Sequence, residues 1–179
     1  MTRRLSLKLT LVLGSALAFG IAAQAQADEL RIGYIAPTTG IFAQVGKDMV
    51  DGFQMYLDEH GGKLGGMNVK FIVEDNQGKP DAAVTKAKKL ILQDHVQMFI
   101  GGLLASTGYA LAPVSTAEKT LYISSISSAD DLTQRQLDKY PYFIRTSWTS
   151  SLPHQPLGQW ACDQGYKKAI TISADYAFG

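Results

Sequence analysis

The hydrophobic positions of this chain fall into two alternating patterns, one typical of buried strands and one typical of amphipathic helices. Leu30 to Ala36 is a short run that is apolar on both faces and ends before Pro37, as buried strands do. Asn68 to Glu74 alternates with period two and is rich in β-branched residues, which predicts a second strand. Further short apolar runs predict strands at Met98 to Gly101, Leu121 to Ser124, Tyr142 to Arg145 and Lys168 to Ser173.

Between these runs the apolar residues follow helical spacing. From Lys47 to Glu59 and from Pro80 to Asp94 they recur at i, i+4, i+7 and i+8, which places them on one helix face. A third helix is predicted to begin at Ser106 or Thr107, and a fourth to cover Leu152 to Gln164. Strands that alternate with helices of this length predict βαβ units around a parallel sheet, so the fold class is α/β.

The N-terminal segment departs from this pattern. A basic stretch within residues 1–8 precedes an apolar run from Leu9 to Ala23, which is shorter than the ~20 residues that a membrane-spanning helix needs. Small residues then form cleavage sites that end at Ala25 and Ala27. Residues 1–27 are therefore predicted to be a cleaved export signal. The basic stretch resembles a twin-arginine signal in part, but ordinary secretion is the interpretation we favour.

Charge and cysteine content narrow the function classes. Without residues 1–27 the chain has 14 basic and 16 acidic residues, a net charge of −2, which offers no basic footprint for nucleic acid. Cys162 is the only cysteine, so no intrachain disulfide can form, and its place in a predicted helix favours a small buried side chain. The histidines lie too far apart to pair as metal ligands and are interpreted as surface or capping residues: His60, His95 and His154. No cofactor or metal is predicted.

Three loops that follow predicted strands are rich in glycine and hydroxyl residues: 37–46, 101–108 and 124–128. Binding loops of a parallel sheet lie at the carboxyl ends of its strands. The first two loops also lead into helices, whose free N–H groups and ~0.5 of a positive charge favour an anion such as a carboxylate. The alternative is that Ser106, Thr107 and Ser128 merely cap helices or turns.

Two motifs resemble catalytic signatures but fail on detail. Gly40 to Lys47 resembles a phosphate-binding loop, yet five residues separate its glycines, and Asp48 stands where a serine or threonine is needed. Leu104 to Gly108 resembles a nucleophile elbow, yet it lacks the first glycine, and no histidine is placed for a triad. Two acidic pairs are interpreted as solvated charges or caps, Glu74-Asp75 and Asp130-Asp131. The chain is therefore predicted not to be an enzyme.

Five segments together resemble a known family: Ile32 to Gly46, Gly61 to Gly66, Glu74 to Asn76, Ile100 to Gly102 and Asp175 to Gly179. In order and spacing they resemble the leucine/isoleucine/valine-type periplasmic binding proteins, which are substrate-binding components of ABC transporters. The resemblance implies a type I periplasmic-binding-protein fold, in which two α/β lobes joined by a hinge close around one ligand. It also implies that this chain is the N-terminal part of a longer protein.

The resemblance further implies a domain division and a site. Residues 28–147 would form the N-terminal ligand-binding lobe, and residues 148–179 the hinge crossover and the start of a second lobe. The implied ligand-binding residues are Val45, Ser106, Ile126, Ser127, Ser128, Tyr176 and Phe178. The loops at Ser106 and Ser128 would hold the ligand carboxylate, and Val45 would touch its apolar part. The two aromatic residues would cover the ligand from the second lobe.

The ligand itself stays open between an amino acid and an aromatic acid. By the resemblance, the acidic residue that pairs with an amino acid's ammonium group would come from a later part of the second lobe, and the small side chain of Val45 leaves room for a larger, aromatic carboxylate. The expected partners are this small-molecule carboxylate and an ABC permease in the inner membrane, with no nucleic acid, and the protein is expected to be a periplasmic monomer. Two alternatives remain. One is a sensory ligand-binding module of the same fold for an amide, urea or an amino acid, and the other is a secreted α/β hydrolase.

Overall fold

The computed structural model describes residues 29–134, 138–175 and 177, and within them the chain forms one six-stranded sheet with four α-helices. The strands are β1 (Glu29–Ala36), β2 (Lys63–Leu64), β3 (Met67–Asp75), β4 (Met98–Gly101), β5 (Leu121–Ser124) and β6 (Phe143–Arg145). The helices are α1 (Ala43–Glu59), α2 (Pro80–Leu92), α3 (Ala105–Ala117) and α4 (Ser151–Asp163). The strand order is β2-β3-β1-β4-β5-β6, and all neighbours except β2 and β3 run parallel. The predicted α/β class and parallel sheet are confirmed.

The strands β4 and β5 have their predicted bounds, and β1, β3 and β6 differ from theirs by one residue at one or both ends. The larger differences lie at helix starts and turns. The helix predicted from Lys47 begins earlier, at Ala43. The short strand β2 was not predicted. It forms an antiparallel hairpin with β3 through Gly65 and Gly66, which both have positive φ angles, and such angles suit a two-residue hairpin turn.

Two predictions for the C-terminal part are wrong. Residues 168–173 form no strand, and Ile170 and Ile172 are 92% and 95% exposed. A strand is stabilised by hydrogen bonds to a neighbouring strand, and no described strand lies beside this segment. Cys162 lies in a helix as predicted, but it is exposed rather than buried. The helix that carries it, α4, has no buried residue.

Helices cover both faces of the sheet. On one face α1 packs through an aromatic cluster formed by Tyr34, Phe53 and Phe71. On the other face α2 and α3 cover the main hydrophobic cluster, which includes Leu90, Phe99, Leu111 and Tyr122. Gly33 faces Leu90 while Tyr34 faces Phe53, because successive strand residues point to opposite faces. Helices thus cover the two faces of the sheet, and the loops that follow the strands lie at the strand ends.

The predicted export signal, residues 1–27, lies outside the described residues. Within the described part of the chain, no helix is long and apolar enough to cross a membrane. Cleavage of a signal therefore stays a prediction.

Candidate ligand-binding site

The three loops identified in the sequence begin side by side at one edge of the sheet. Gly101, the last residue of β4, pairs with Ile35 of β1 on one side and with Ser124 of β5 on the other. Beyond the strands, the Gly102 N–H donates to the Ile35 carbonyl oxygen at 2.9 Å. The Ser125 N–H donates to the Gly101 carbonyl oxygen at 3.4 Å. Because of these bonds, the first residues of the second and third loops stay aligned with the neighbouring strands.

Glycines allow close packing within and around these loops. A Cβ atom on Gly46 would overlap the Pro37 carbonyl group, and one on Gly101, where φ is +115°, would overlap the carbonyl oxygen of Ile35. A Cβ atom on Gly108 would lie 2.8 Å from the Ser127 Cβ atom, closer than real Cβ contacts. The first turn of α3 can therefore pack directly against the third loop.

The second loop enters α3 without a side-chain cap. The capping residue is Leu104, whose carbonyl oxygen accepts hydrogen bonds from the Thr107 and Gly108 N–H groups at 3.0 and 3.2 Å. The capping role considered for Ser106 and Thr107 is therefore wrong, because the helix begins before them, at Ala105. Ser106 is half-buried in the first turn. The Thr107 hydroxyl is buried and has no hydrogen-bond partner within the described part of the chain.

The third loop is tied to the second through Ser127. Its side chain is fully buried, and its hydroxyl shares its proton between the carbonyl oxygens of Leu104 at 2.9 Å and Gly102 at 3.2 Å. The Ser127 N–H in turn donates to the Ser124 hydroxyl oxygen at 3.1 Å. Tyr122 lies beneath them, and burial raises the pKa of its hydroxyl to about 12. In this arrangement the Ser127 side chain joins two loops.

Ser128 lies at the end of the third loop and contacts the crossover that follows β6. Its carbonyl oxygen accepts hydrogen bonds from the N–H of Ser150 at 2.8 Å and from the Ser150 hydroxyl at 2.9 Å. The Ser128 residue is largely buried, and Ile126 is half-buried. The turn that follows has Ala129 as its capping residue, so Ser128 does not cap it. Val45 lies in the first turn of α1 and is largely exposed.

The first loop is held by Asp75, a residue that the sequence assigned only to a solvated pair or a cap. Its carboxylate accepts hydrogen bonds from the Thr38 N–H at 3.0 Å, the Thr39 hydroxyl at 2.5 Å and the Gln77 N–H at 2.8 Å. Partial burial favours the neutral form of the Asp75 carboxyl, but the hydrogen bonds from Thr39, Gln77 and Thr38 favour the charged form more strongly. The net result is that the pKa of Asp75 is lowered. Its neighbour Glu74 instead forms ion pairs with Lys86 and Lys89, both at 2.6 Å.

Hydrogen bonds of two charged residues, Arg145 and Asp130, stabilise the third loop and the turn that follows it. The Arg145 guanidinium donates to the carbonyl oxygens of Ala129 at 2.6 Å and Ser127 at 3.2 Å. The Asp130 carboxylate accepts hydrogen bonds from the N–H and hydroxyl of Ser151, both at 3.1 Å. Neither role was predicted, and the only signal in the sequence was that charged residues follow β5 and end β6.

Three further observations concern the extent of the candidate site. Tyr176 and Phe178 lie outside the described residues, so their assignment stays a prediction. Across residues 29–134 and 138–175, no group of His, Cys, Asp or Glu is arranged to hold a metal ion. A cavity of about 450 Å³ lies elsewhere, against α2, with Lys86, Lys89 and Leu92 among its lining residues. The candidate site is therefore the edge formed by the three loops.

The mostly parallel sheet thus carries three loops at the adjacent ends of β1, β4 and β5. The sequence profile of the periplasmic binding protein family matches residues 29–179, and the chain belongs to this family. The lobe has the type I periplasmic-binding-protein fold, as the resemblance implied.

Known proteins similar to this chain include a "Leu/Ile/Val-binding protein homolog 6" of Brucella abortus. It is 30% identical over 164 residues, which cover 90% of this chain and 41% of the relative. A second similar protein is a solute-binding protein of an ABC transporter from Rhodopseudomonas palustris, solved with 3,4-dihydroxybenzoic acid. It is 30% identical to this chain with a TM-score of 0.77, and the match covers 84% of this chain and 40% of the solved chain. Another from R. palustris, solved with benzoate, is 26% identical with a TM-score of 0.75, covering 84% and 41%. The chain thus spans about 40% of the length of these relatives.

Proposed function

We propose that this chain is the N-terminal lobe of a periplasmic solute-binding component of an ABC importer, and that it binds a small carboxylate between two lobes. The observation that carries the proposal is the convergence of three loops at the adjacent ends of β1, β4 and β5. Solute-binding proteins act by binding and hinge closure, so no covalent chemistry is assigned to the site.

The chemistry of the loops suits a carboxylate. The first N–H groups of a helix lack acceptors within it, and they lie at the positive end of the helix dipole. Ser106 is in the first turn of α3, and Ser128 lies in the loop that packs against this turn through Ser127. We assign the carboxylate to Ser106, Ser128 and the backbone near Ile126 and Ser127. Val45 would contact the apolar part of the ligand.

The relatives support a carboxylate of either kind. One is named for leucine, isoleucine and valine, and two solved structures hold 3,4-dihydroxybenzoic acid and benzoate. A carboxylate is the group that these molecules share. The periplasmic location, the permease partner and the covering roles of Tyr176 and Phe178 belong to the same proposal.

A thermal-shift screen of the full-length protein tests this function. Leucine, valine, benzoate and 4-hydroxybenzoate are the probes, and at least one should raise the melting temperature, since a ligand that binds only the folded state stabilises it. Ser106→Ala or Ser128→Ala should reduce this stabilisation, while Thr85→Ala on the exposed side of α2 should not. If none of the probes stabilises the protein, the proposal fails.

The runner-up is a sensory module of the same fold. It would bind its ligand in the same loops, so the serine variants do not separate the two functions. A membrane-spanning or signalling segment in the full-length polypeptide would favour the sensor. Uptake of the radiolabelled ligand that depends on this protein would favour the importer.

A further inference from the structure

The strand β3 has an outer edge that is mostly uncovered. Its inner edge pairs with β1 from Asn68 to Asp75, whereas β2 covers the outer edge only at Met67 and Asn68. The last hydrogen bond on the outer edge runs from the Val69 N–H to the Gly62 carbonyl oxygen at 2.8 Å. Beyond Val69, no strand of the described chain lies along this edge.

The geometry of a strand identifies the backbone groups that this edge leaves free. Alternate residues of a strand direct their N–H and C=O groups to the same edge, so Phe71 and Val73 point outward as Val69 does. Within residues 29–134 and 138–175, no hydrogen bond reaches the outward groups of either residue. Val73 is also 40% exposed. Such free groups make an edge strand a template for pairing with another strand.

The side chains on one face of this segment carry opposite charges four residues apart. Lys70, Ile72 and Glu74 share the face that α2 covers, because side chains alternate between the faces of a strand. Ile72 packs against the main hydrophobic cluster, and Glu74 forms its ion pairs with lysines of α2. Lys70 is exposed and forms no ion pair within the described part of the chain.

We propose that the outer edge of β3 pairs antiparallel with the same edge of a second copy of this chain, with Ile72 on the twofold axis. In this register Phe71 of each copy faces Val73 of the other. Each of these two pairs exchanges two backbone hydrogen bonds, so the contact forms four.

The charges select this register among the possible ones. With Ile72 on the axis, Lys70 of each copy lies opposite Glu74 of the other, and opposite charges in cross-strand pairs are favourable. Centring the contact on another residue turns the free backbone groups away from each other or moves Lys70 away from Glu74. The contact is short, so a weak dimer in equilibrium with the expected monomer follows.

Antiparallel pairing leaves both candidate ligand-binding sites open. The three loops follow the carboxyl ends of β1, β4 and β5, and β1 runs parallel to β3. The two copies therefore carry their loops at opposite ends of the joined sheet. This inference goes beyond the proposed function and does not depend on the ligand.

Sedimentation velocity of the full-length protein, measured without ligand at concentrations up to about 100 μM, tests the inference. Wild type should form a dimer in proportion to its concentration. Lys70→Glu brings like charges together across the axis twice and should weaken the dimer about tenfold. Lys119→Glu makes the same change of charge on an exposed residue after α3 and should match wild type.

A second pair of variants tests the backbone contact. Val73→Pro removes an outward N–H group but none of the bonds to β1, so it should also weaken the dimer. Val73→Thr keeps the N–H group and a β-branched side chain and should associate like wild type. If Val73→Pro does not fold, Lys70→Glu still decides the result.

A designed disulfide tests the register. The background is Cys162→Ser, which removes the exposed native cysteine. Ile72→Cys should then cross-link to its copy on mild oxidation, because residues on the axis lie about 4.5 Å apart between Cα atoms. Lys70→Cys is the control and should not cross-link, because its copies would lie about 13 Å apart along the strands.

Three outcomes would overturn the inference. One is a wild type that stays monomeric at about 100 μM, which would leave another part of the same polypeptide as the alternative occupant of the edge. Another is a dimer that Lys70→Glu leaves unchanged, since it would form in another register or through another surface. The third is equal cross-linking of Ile72→Cys and Lys70→Cys.

Discussion

The Ser127 hydroxyl oxygen lies 2.9 Å from the Leu104 carbonyl oxygen, and this contact joins the loop after β5 to the residue that caps α3. The same hydroxyl also bonds to the Gly102 carbonyl oxygen, and Gly108 packs directly against the Ser127 side chain. Because both candidate carboxylate-binding serines lie within two residues of this pair, the geometry of the site depends on it.

Replacing Ser127 with alanine should destabilise the lobe. The change removes the hydroxyl donor from the buried Gly102 carbonyl oxygen, whereas the Leu104 carbonyl oxygen keeps the Thr107 and Gly108 N–H groups. The expected loss is about 1–3 kcal/mol in the free energy of unfolding. Urea denaturation of the full-length protein measures it. Thr85→Ala, which removes only an exposed hydroxyl on α2, is the control and should stay within about 0.5 kcal/mol of wild type. Equal stability of the two variants would contradict the structural role of Ser127.

Two glycine-to-alanine changes should have opposite signs. Gly101 has a φ angle of +115°, and a Cβ atom there would overlap the Ile35 carbonyl oxygen, so Gly101→Ala should cost about 2 kcal/mol or more. Gly52 lies inside α1 with no atom within 4 Å of the added Cβ atom, and Gly52→Ala should stabilise the helix by about 0.5–1 kcal/mol. Thermal unfolding of both variants measures the two effects. An unaffected Gly101→Ala would contradict the close packing described at the end of β4, and a destabilised Gly52→Ala would contradict the open space described at Gly52 in α1.

The sequence predicted the sheet well and the site only in outline. Met98–Gly101 and Leu121–Ser124 had the right bounds because continuous apolar runs between polar turns indicate buried strands. Helix capping by Ser106 or Thr107 was wrong, because the backbone of Leu104 begins the helix and capping preferences are only statistical. Residues 168–173 had a strand pattern but lack a neighbouring strand in the described chain, and pairing cannot be read from a single segment.

The polar contacts of the site could not be predicted for a different reason. Asp75 bonds to Thr38 and Thr39 on another loop, and Asp130 bonds to Ser151 across the crossover. Such partners become neighbours only through the strand order, which local spacing does not encode. The available signals were that Asp75 stands at the end of a strand and that Asp130 lies in the loop region after β5.

Acid should destabilise this lobe in part through Asp75. Its pKa in the folded protein lies below the ordinary value of 3.8, because the hydrogen bonds of the first loop outweigh burial. A group with a lowered folded pKa contributes stability above its unfolded pKa and loses it as the pH falls through the folded one. Stability should therefore fall as the pH drops below about 4, and Asp75→Asn should show a smaller fall over that range. Urea midpoints measured from about pH 6 to about pH 2.5 test this, and parallel curves for the two proteins would contradict it.

Recognition of a negative charge by the three loops is tested most directly by calorimetric titration of the full-length protein with matched acids and amides. The pairs are benzoate with benzamide and leucine with leucinamide, which have similar shapes and differ in the carboxylate. Loss of charge-assisted hydrogen bonds should make the amide of the preferred pair bind at least about tenfold more weakly than its acid. If the amides bind as tightly as the acids, the loops do not hold a carboxylate.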